Sequence, residues 1–341
     1  MLAPPKFHDS AAFTSSALFR SFLANPLRII DIGARDGVHE MFLPLGKLAK
    51  VLAFEPDQEG YEALVADQEL KQRMADVIIR PEALGDGTRV PFHLMSKATN
   101  HSLLRTNDVL VERYKMDLFR NVSSFDIDTN RLDDIVAGPQ APCPGFGEIV
   151  KIDTQASEHL ILSHAPTMLQ ETTIGIIAEV WFCEIYENQP LFHDLCALLK
   201  PFGLTFYGFT SFFLRSGKRV DKRNHLGRER ALYADAIFLK DPLDQAIPAL
   251  SERHFAVLFL FACMTGYFDF ALELAGRVAD PSEQQALVSA IGEFSRIEPD
   301  EIRQQAQNAV AQASTDANGA AVAIGRFVDG WRSYFDYGDV R

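Results

Sequence analysis

The chain has 341 residues, 47% hydrophobic, 23% charged and 11% aromatic, an ordinary globular composition that excludes intrinsic disorder. One hydrophobic core rarely grows much past ~250 residues, so the length favours one large domain with a smaller one or an appendage. A net charge of −13, from 33 Lys+Arg against 46 Asp+Glu, opposes long contacts with phosphate backbones and speaks against a general nucleic-acid binder.

Up to Lys240, short apolar runs alternate with longer amphipathic stretches, the pattern of strand-helix-strand units and a mostly parallel sheet. Strands are predicted at 27–32, 51–55, 77–83, 148–153, 174–182, 204–209 and 231–239, with helices at about 11–24, 37–49, 57–73, 155–170 and 187–201. Leu191, Leu195, Leu198 and Leu199 recur at helical spacing before the stop signals Pro201 and Gly203. Between the third and fourth strands lies an irregular excursion, 86–147, with one further strand at 90–95 and a polar patch from Lys97 to Ser102. Lys240 is the last lysine, and the Ala-, Gln- and Glu-rich remainder reads as four or five helices. A boundary near 245 therefore divides the chain into 1–245 and 246–341. Phe255, Leu258, Phe259 and Phe261 are too apolar for a solvated hairpin, which predicts packing on the first domain or on a second subunit of a homo-oligomer.

Cys143, Cys183, Cys196 and Cys263 form no C-x-x-C pair, so they are expected to be free thiols in a reducing compartment. The first residues lack the basic and apolar regions of a secretory signal. The most apolar run, 255–264, is far short of the ~18 residues that span a bilayer. A soluble, cytoplasmic protein is expected.

The strongest local signal is Leu27-Arg-Ile-Ile-Asp-Ile-Gly-Ala-Arg-Asp-Gly37, an apolar strand running into a glycine-containing turn. Gly33 allows close backbone approach, Gly37 allows a tight helix start, and free N–H groups there attract a carboxylate or phosphate. A dinucleotide site needs G-x-G-x-x-G, but Arg35 takes the second glycine's place, and Asp31 would repel a pyrophosphate while holding an ammonium group. Glu55 ends the next apolar run, where an acid can bind both hydroxyls of a ribose. An acid for an amine, an acid for a ribose and a turn for a carboxylate together describe S-adenosyl-L-methionine.

Asp31-Ile-Gly-Ala-Arg-Asp-Gly37, Phe54-Glu-Pro56, Glu82-Ala-Leu-Gly85, Arg131-Leu-Asp-Asp134, Lys151-Ile-Asp-Thr-Gln155 with Glu158, and Ala178-Glu-Val180 together resemble, in order and spacing, the FkbM family of S-adenosylmethionine-dependent methyltransferases. The resemblance covers about 27–240. It implies an α/β class I methyltransferase fold, a Rossmann-like doubly wound sheet of seven strands with the last antiparallel, here carrying a C-terminal all-helical extension. It also implies O-methylation of a hydroxyl on a sugar, polyketide or other small metabolite, and a cofactor wall of Asp31, Gly33, Ala34, Gly37, Glu55, Pro56, Ala83 and Leu84. The chain departs from the family where a glycine usually precedes Glu158: Ala156-Ser157 stands there instead.

A hydroxyl needs a base within hydrogen-bond reach, or a metal, to become a nucleophile. Asp153 and Glu179, at the carboxyl ends of the fourth and fifth strands, are the leading acid-base or metal-ligand candidates, although Asp153 also reads as the N-cap of the next helix. Glu158 reads as a capping or salt-bridge partner of Gln155, and His101 as either a base on a lid or a solvated loop histidine. The basic stretch 215–230 is read either as a solvated hairpin tip or as a site for an anionic acceptor through Arg219, Lys222 and Arg223. A different reading is a domain that binds the cofactor without turnover, as an assembly or regulatory module.

Overall fold

The computed structural model describes residues 5–220, 227–242, 250–296, 299–315 and 319–331. Its strands in chain order are β1 (Leu27–Ile32), β2 (Ala49–Phe54), β3 (Asp76–Arg80), β4 (Ala83–Leu84), β5 (Arg89–Met95), β6 (Asn121–Asn130), β7 (Ile149–Ile152), β8 (Gly175–Trp181), β9 (Leu204–Arg215) and β10 (Arg230–Lys240). Seven of them form one sheet in the order β3-β2-β1-β7-β8-β10-β9. β10 runs antiparallel to both of its neighbours, and the other pairings are parallel. The expected doubly wound sheet with an antiparallel last strand is therefore present. The strand order reverses between β1 and β7, which opens a crevice at the carboxyl ends of these two strands.

Alternation along each strand sends side chains to two apolar faces. Ile29, Val51, Ile149, Ile177 and Ile237 pack with Phe7, Phe13 and Phe22 of the N-terminal segment. Ile30, Leu52, Val150, Ile176 and Phe238 face Leu162, Leu169, Leu195 and Leu199 on the other side. The first of these faces is completed by the helix Glu252–Thr265, whose Leu258, Phe259 and Phe261 have no exposed surface. A Cβ on Gly175 would lie 2.3 Å from the Phe261 ring, so only glycine in β8 lets the helix come this close.

Arg253 anchors the same helix. Its guanidinium gives Nε and Nη2 to the two oxygens of the buried Glu148 carboxylate at 2.6 and 2.7 Å. Its remaining donors reach the carbonyls of Asn25 and Pro26, at 2.8 and 3.0 Å. The boundary near 245 lies outside the described residues, yet the break in composition is not a break in the core: the helix after it lies on the sheet. Of the two sequence-based alternatives for its apolar side chains, packing on the first part of the chain is the one observed. Among the described residues no helix is long and apolar enough to cross a membrane, and all four cysteines are free.

The helices predicted over 11–24 and 57–73 are broken at Ser16 and Asp67, the one predicted over 187–201 begins at Phe192, and three further differences bear on the site and the excursion. The helix predicted over 37–49 is a run of 3₁₀ turns, Glu40–Leu48, because Pro44 removes a donor and Gly46 takes φ +52. The helix predicted over 155–170 begins only at Glu158 and is split into Glu158–Ser163 and Pro166–Glu171. In the excursion, β6 pairs with both β5 and β4 to make a second, three-stranded sheet.

Candidate active site

The face of the main sheet that is apolar at its centre turns charged at the carboxyl edge. Asp31 of β1 is paired in register with Lys151 of β7, and Glu179 of β8 with Asp235 of β10. Paired residues share a face, so these four side chains continue the row begun by Ile29, Ile149, Ile177 and Ile237.

Asp31 is 1% exposed. Its Oδ2 accepts the N–H of His39 at 2.7 Å, while Oδ1 is buried without a partner. That N–H belongs to the segment predicted as a helix start, so the expected free helix N-terminus at Gly37 is absent, and the backbone donor serves Asp31 instead. Burial raises the pKa of Asp31, and Lys151 and the His39 N–H oppose the rise. Lys151 is buried as well; desolvation alone would lower its pKa, but Asp153, Asp31, Asp235 and Glu179 outweigh this and raise it, so it stays an ammonium.

At Gly33 the chain takes φ +82, and an added Cβ would stand 1.9 Å from the carbonyl oxygen of Asp153. The turns after β1 and β7 therefore touch, and no side chain fits between them. Gly33→Ala is expected to displace one of the two loops, lowering the urea midpoint of unfolding and the affinity for S-adenosylhomocysteine together. Ala34 is 2% exposed and packs in the core, while Gly37, at φ +108, has open space beside it.

Two clefts meet at this edge. One is lined by Gly33, Glu55, Pro56, Ala83, Leu84 and His101, among others, and the other by Gly37, His39 and Lys151; Gly33, Arg35, Thr99 and Asp153 line both. Glu55 is 4% exposed and its Oε1 accepts the Asp57 N–H at 2.8 Å. Burial pushes its carboxyl up to about 7, against the opposing effects of that N–H and of Arg35. Gly60 makes room for it, since a Cβ there would lie 2.9 Å from Glu55 Cγ.

Asp153 follows β7. Its Oδ2 lies 3.4 Å from Lys151 Nζ, and its Oδ1 accepts from Gln155 Nε2 at 3.0 Å. The helix-cap reading fails, because the helix starts five residues later with Ser157 as its N-cap. Gln155 and Ala156, at φ +54 and +81, make the turn between them. A left-handed alanine costs about 1–2 kcal/mol. Its methyl group is packed in the cluster of Trp181 and Tyr186, and such burial returns about 0.8 kcal/mol, which offsets much of the strain where the family usually has glycine.

Gln155 Nε2 also donates to Glu179 Oε2 at 3.1 Å, and Gln155 Oε1 accepts from the Tyr186 hydroxyl at 2.8 Å. Trp181 Nε1 gives Glu179 Oε2 a further bond at 3.1 Å. Burial, followed by Asp153, Glu158 and Asp235, raises the pKa of Glu179 well above the usual carboxylate range, favouring its protonated form. Glu158 accepts from the backbone and hydroxyl of Thr154 at 2.7 and 3.1 Å rather than from Gln155. Oxygens of Asp153, Glu158 and Glu179 lie within 4.8 Å of one another, but each of these carboxylates already accepts from the chain's own donors.

His101 lines the cleft with Glu55, its Nδ1 accepting the Met95 N–H at 3.0 Å and its ring set edge-on to Phe92. Its charged neighbours are Asp57 and Arg35. Arg219 lies at the rim of a separate groove, and Lys222 and Arg223 fall outside the described residues. Sequence reasoning gave no separate role to Lys151, Gln155 or Asp235. A lysine inside the apolar run Ile149–Ile152 was the available signal, because a buried cation needs anionic partners.

A parallel sheet reversing at β1/β7, an acid at the tip of β2 and a buried acid in β1 with one unpartnered oxygen define an S-adenosyl-L-methionine-dependent methyltransferase of the class I fold. Asp31 and Ala34 line neither cleft, but the unpartnered Asp31 Oδ1 behind them suits an ammonium donor and the cleft at Glu55 suits a ribose, so the residues fit this cofactor. The model of the methyltransferase FkbM domain matches residues 31–210, and the chain belongs to that family.

Among solved structures, the chain is similar to a putative RNA methyltransferase from Pyrococcus horikoshii, with 13% identity over 67% of this chain and 81% of that one, TM-score 0.29. It is similar to the magnesium protoporphyrin IX methyltransferase from Synechocystis PCC 6803 with bound SAM, with 10% identity over 66% and 74%, TM-score 0.31. It is also similar to M. jannaschii TYW2 in complex with AdoMet, with 12% identity over 65% and 74%, TM-score 0.28. Comparison with curated proteins gives no match.

Proposed function

We propose that the protein transfers a methyl group to a hydroxyl of a sugar, glycan or small-metabolite acceptor, with Asp153 as the base. The observation that carries this reading is the position of Asp153: it lines both clefts, beside a buried ammonium. When bound, the cofactor supplies an electrophilic methyl group on a sulfonium. Glu55 would hold the ribose hydroxyls, Asp31 the amine, and the turn at Gly33 the carboxylate end. Asp153 takes the hydroxyl proton as the oxygen attacks, and Lys151 stabilises the ionised carboxylate before the transfer. Gln155 fixes the carboxylate plane by bonding Oδ1, and its other contacts, to Glu179 and Tyr186, hold the amide in place. Alignment of the acceptor oxygen supplies much of the acceleration.

The net charge of −13 supports a small acceptor over a nucleic-acid one. The test is incubation with cofactor carrying a ¹³C-labelled methyl group and a panel of hydroxylated acceptors. Label in a methyl ether is expected; label on nitrogen or carbon would contradict the reading.

Glu55 gives this site a pH dependence. Ribose hydroxyls donate to the ionised carboxylate, so binding lowers its pKa, and affinity falls as pH drops below the free value of about 7. Between pH 8 and pH 6, S-adenosylhomocysteine should weaken about tenfold, and Glu55→Gln should remove most of that slope. Calorimetric titration at the two pH values measures both.

A further inference from the structure

The charge of the chain is unevenly spread. A surface groove near the ends of β9 and β10 is lined by Arg113, Lys115, Lys218, Arg219 and Arg228, with Glu112 as the one carboxylate among its described lining residues. These cations come from two distant parts of the sequence. Arg113 ends the helix Asp108–Arg113 of the excursion and Lys115 follows it, while the other three follow β9 or precede β10. A solvated hairpin tip would not bring the excursion to it, yet Gly217 stands against the carbonyl of Arg113. Five cations and one acid among the described lining residues, with Glu229 bonded to the lining Ser216, concentrate positive potential on a protein of charge −13.

Two further arginines stand beside the groove. Arg215 and Arg230 are directly paired across β9 and β10; Arg230 Nη1 donates to the Tyr114 hydroxyl at 3.2 Å, and Glu229 next to it accepts from Ser216 at 3.2 Å. Arg215 Nε is also buried without a hydrogen-bond partner.

The groove is connected to the carboxylates of the candidate active site by a continuous stack. The Arg215 guanidinium lies 4.6 Å from the centre of the Phe213 ring, Phe213 stacks on Tyr233 at 4.5 Å and 15°, and Tyr233 lies 4.6 Å from Trp181. Trp181 donates to Glu179. Tyr233 is paired with both Trp181 and Phe213, so the carboxyl ends of β8 and β9 lie at the same edge of the sheet.

We propose that this groove is an anion subsite that takes a phosphate or diphosphate group of the acceptor while its hydroxyl reaches Asp153; the acceptor role rests on the function proposed above. Guanidinium groups bind phosphoryl oxygens in pairs, and lysines add charge without fixing direction. The occupant is a phosphorylated hydroxyl compound long enough to pass from the groove to Asp153 and carrying few negative charges, because the surface surrounding the groove belongs to an acidic molecule that repels a long polyanion.

The test uses inorganic pyrophosphate as probe on the full chain, with Arg113→Glu/Arg219→Glu as the variant. Both side chains are exposed, so the fold should persist. Pyrophosphate is expected to bind the wild type and to bind the variant at least tenfold more weakly, while S-adenosylhomocysteine affinity stays the same. Equal pyrophosphate binding by both proteins would overturn the subsite. Tighter binding of a single-stranded RNA oligonucleotide than of pyrophosphate, lost in the same variant, would overturn it in favour of nucleic acid. In methyl transfer, the variant should raise KM for a phosphorylated acceptor at least tenfold with kcat retained, and an unchanged KM would remove its acceptor role. Failure of the wild type to bind S-adenosylhomocysteine would count against the methyl-transfer reading alone, because pyrophosphate binding is measured without cofactor.

Discussion

Replacing Asp153 by asparagine is expected to slow methyl transfer by about 10²- to 10⁴-fold, the usual contribution of a positioned general base. Asparagine keeps an oxygen for Gln155 and nearly the same volume, so the loop should hold its shape and S-adenosylhomocysteine affinity should change little. The loss should therefore appear in kcat. The two neighbouring acids should not substitute for Asp153: Glu158 is bonded to Thr154, and Glu179 is pushed toward its protonated form by burial and by the surrounding carboxylates. Single-turnover rates for wild type and variant measure the effect. A rate within tenfold of wild type would show that Asp153 is not the base.

The second large effect is on stability. Glu148 is 1% exposed and accepts from the Arg28 backbone N–H and from the guanidinium groups of Arg28 and Arg253, joining the amino edge of the sheet to the helix Glu252–Thr265. Glu148→Gln would leave two guanidinium groups partly buried without their counter-charge, which costs about 3–5 kcal/mol. For a chain of this size that corresponds to a fall in Tm of roughly 4–7 °C. Arg253→Met should cost less in the Glu148→Gln background than alone, because the shared interaction is already gone.

The same carboxylate makes stability depend on pH. Burial would raise its pKa, but the bonds and charges of Arg253 and Arg28 outweigh that and lower it below the ordinary value of 4.5. A lowered folded-state pKa means that the contribution is fully present above the unfolded-state value and is lost as pH falls through the folded one. Urea midpoints at pH 7 and pH 4, for wild type and Glu148→Gln, should converge toward the acid side.

The parts of the fold that could be read in advance are those where burial leaves a pattern. Strands covered on both faces appear as apolar runs, which is why β1, β2, β7 and β8 stand close to their expected places. β6 was missed because its sequence, NVSSFDIDTN, lies mostly exposed and its alternation is short, with only Phe125 and Ile127 as large apolar residues in it. The 3₁₀ segment after Gly37 was misread because its apolar spacing is helical while Pro44 and Gly46 forbid a regular helix. Among site residues, Asp31 and Glu55 were legible as acids placed after apolar runs, and Asp153 and Glu179 as acids at strand ends. The links between them were not: Lys151 meets Asp31 only through the register of β1 and β7, and Gln155 reaches Glu179 only through two consecutive left-handed residues. The C-terminal segment differs in composition from the rest, yet its first described helix completes the sheet's core.

The central claim is that the crevice at the carboxyl ends of β1 and β7, bordered by Glu55 after β2, holds S-adenosyl-L-methionine with Glu55 on its ribose. Calorimetric titration of wild type and Glu55→Ala with S-adenosylhomocysteine tests it most directly. Stoichiometric binding to the wild type, weakened at least tenfold by Glu55→Ala, is the predicted result; no binding to the wild type, or equal binding to both proteins, would contradict the account.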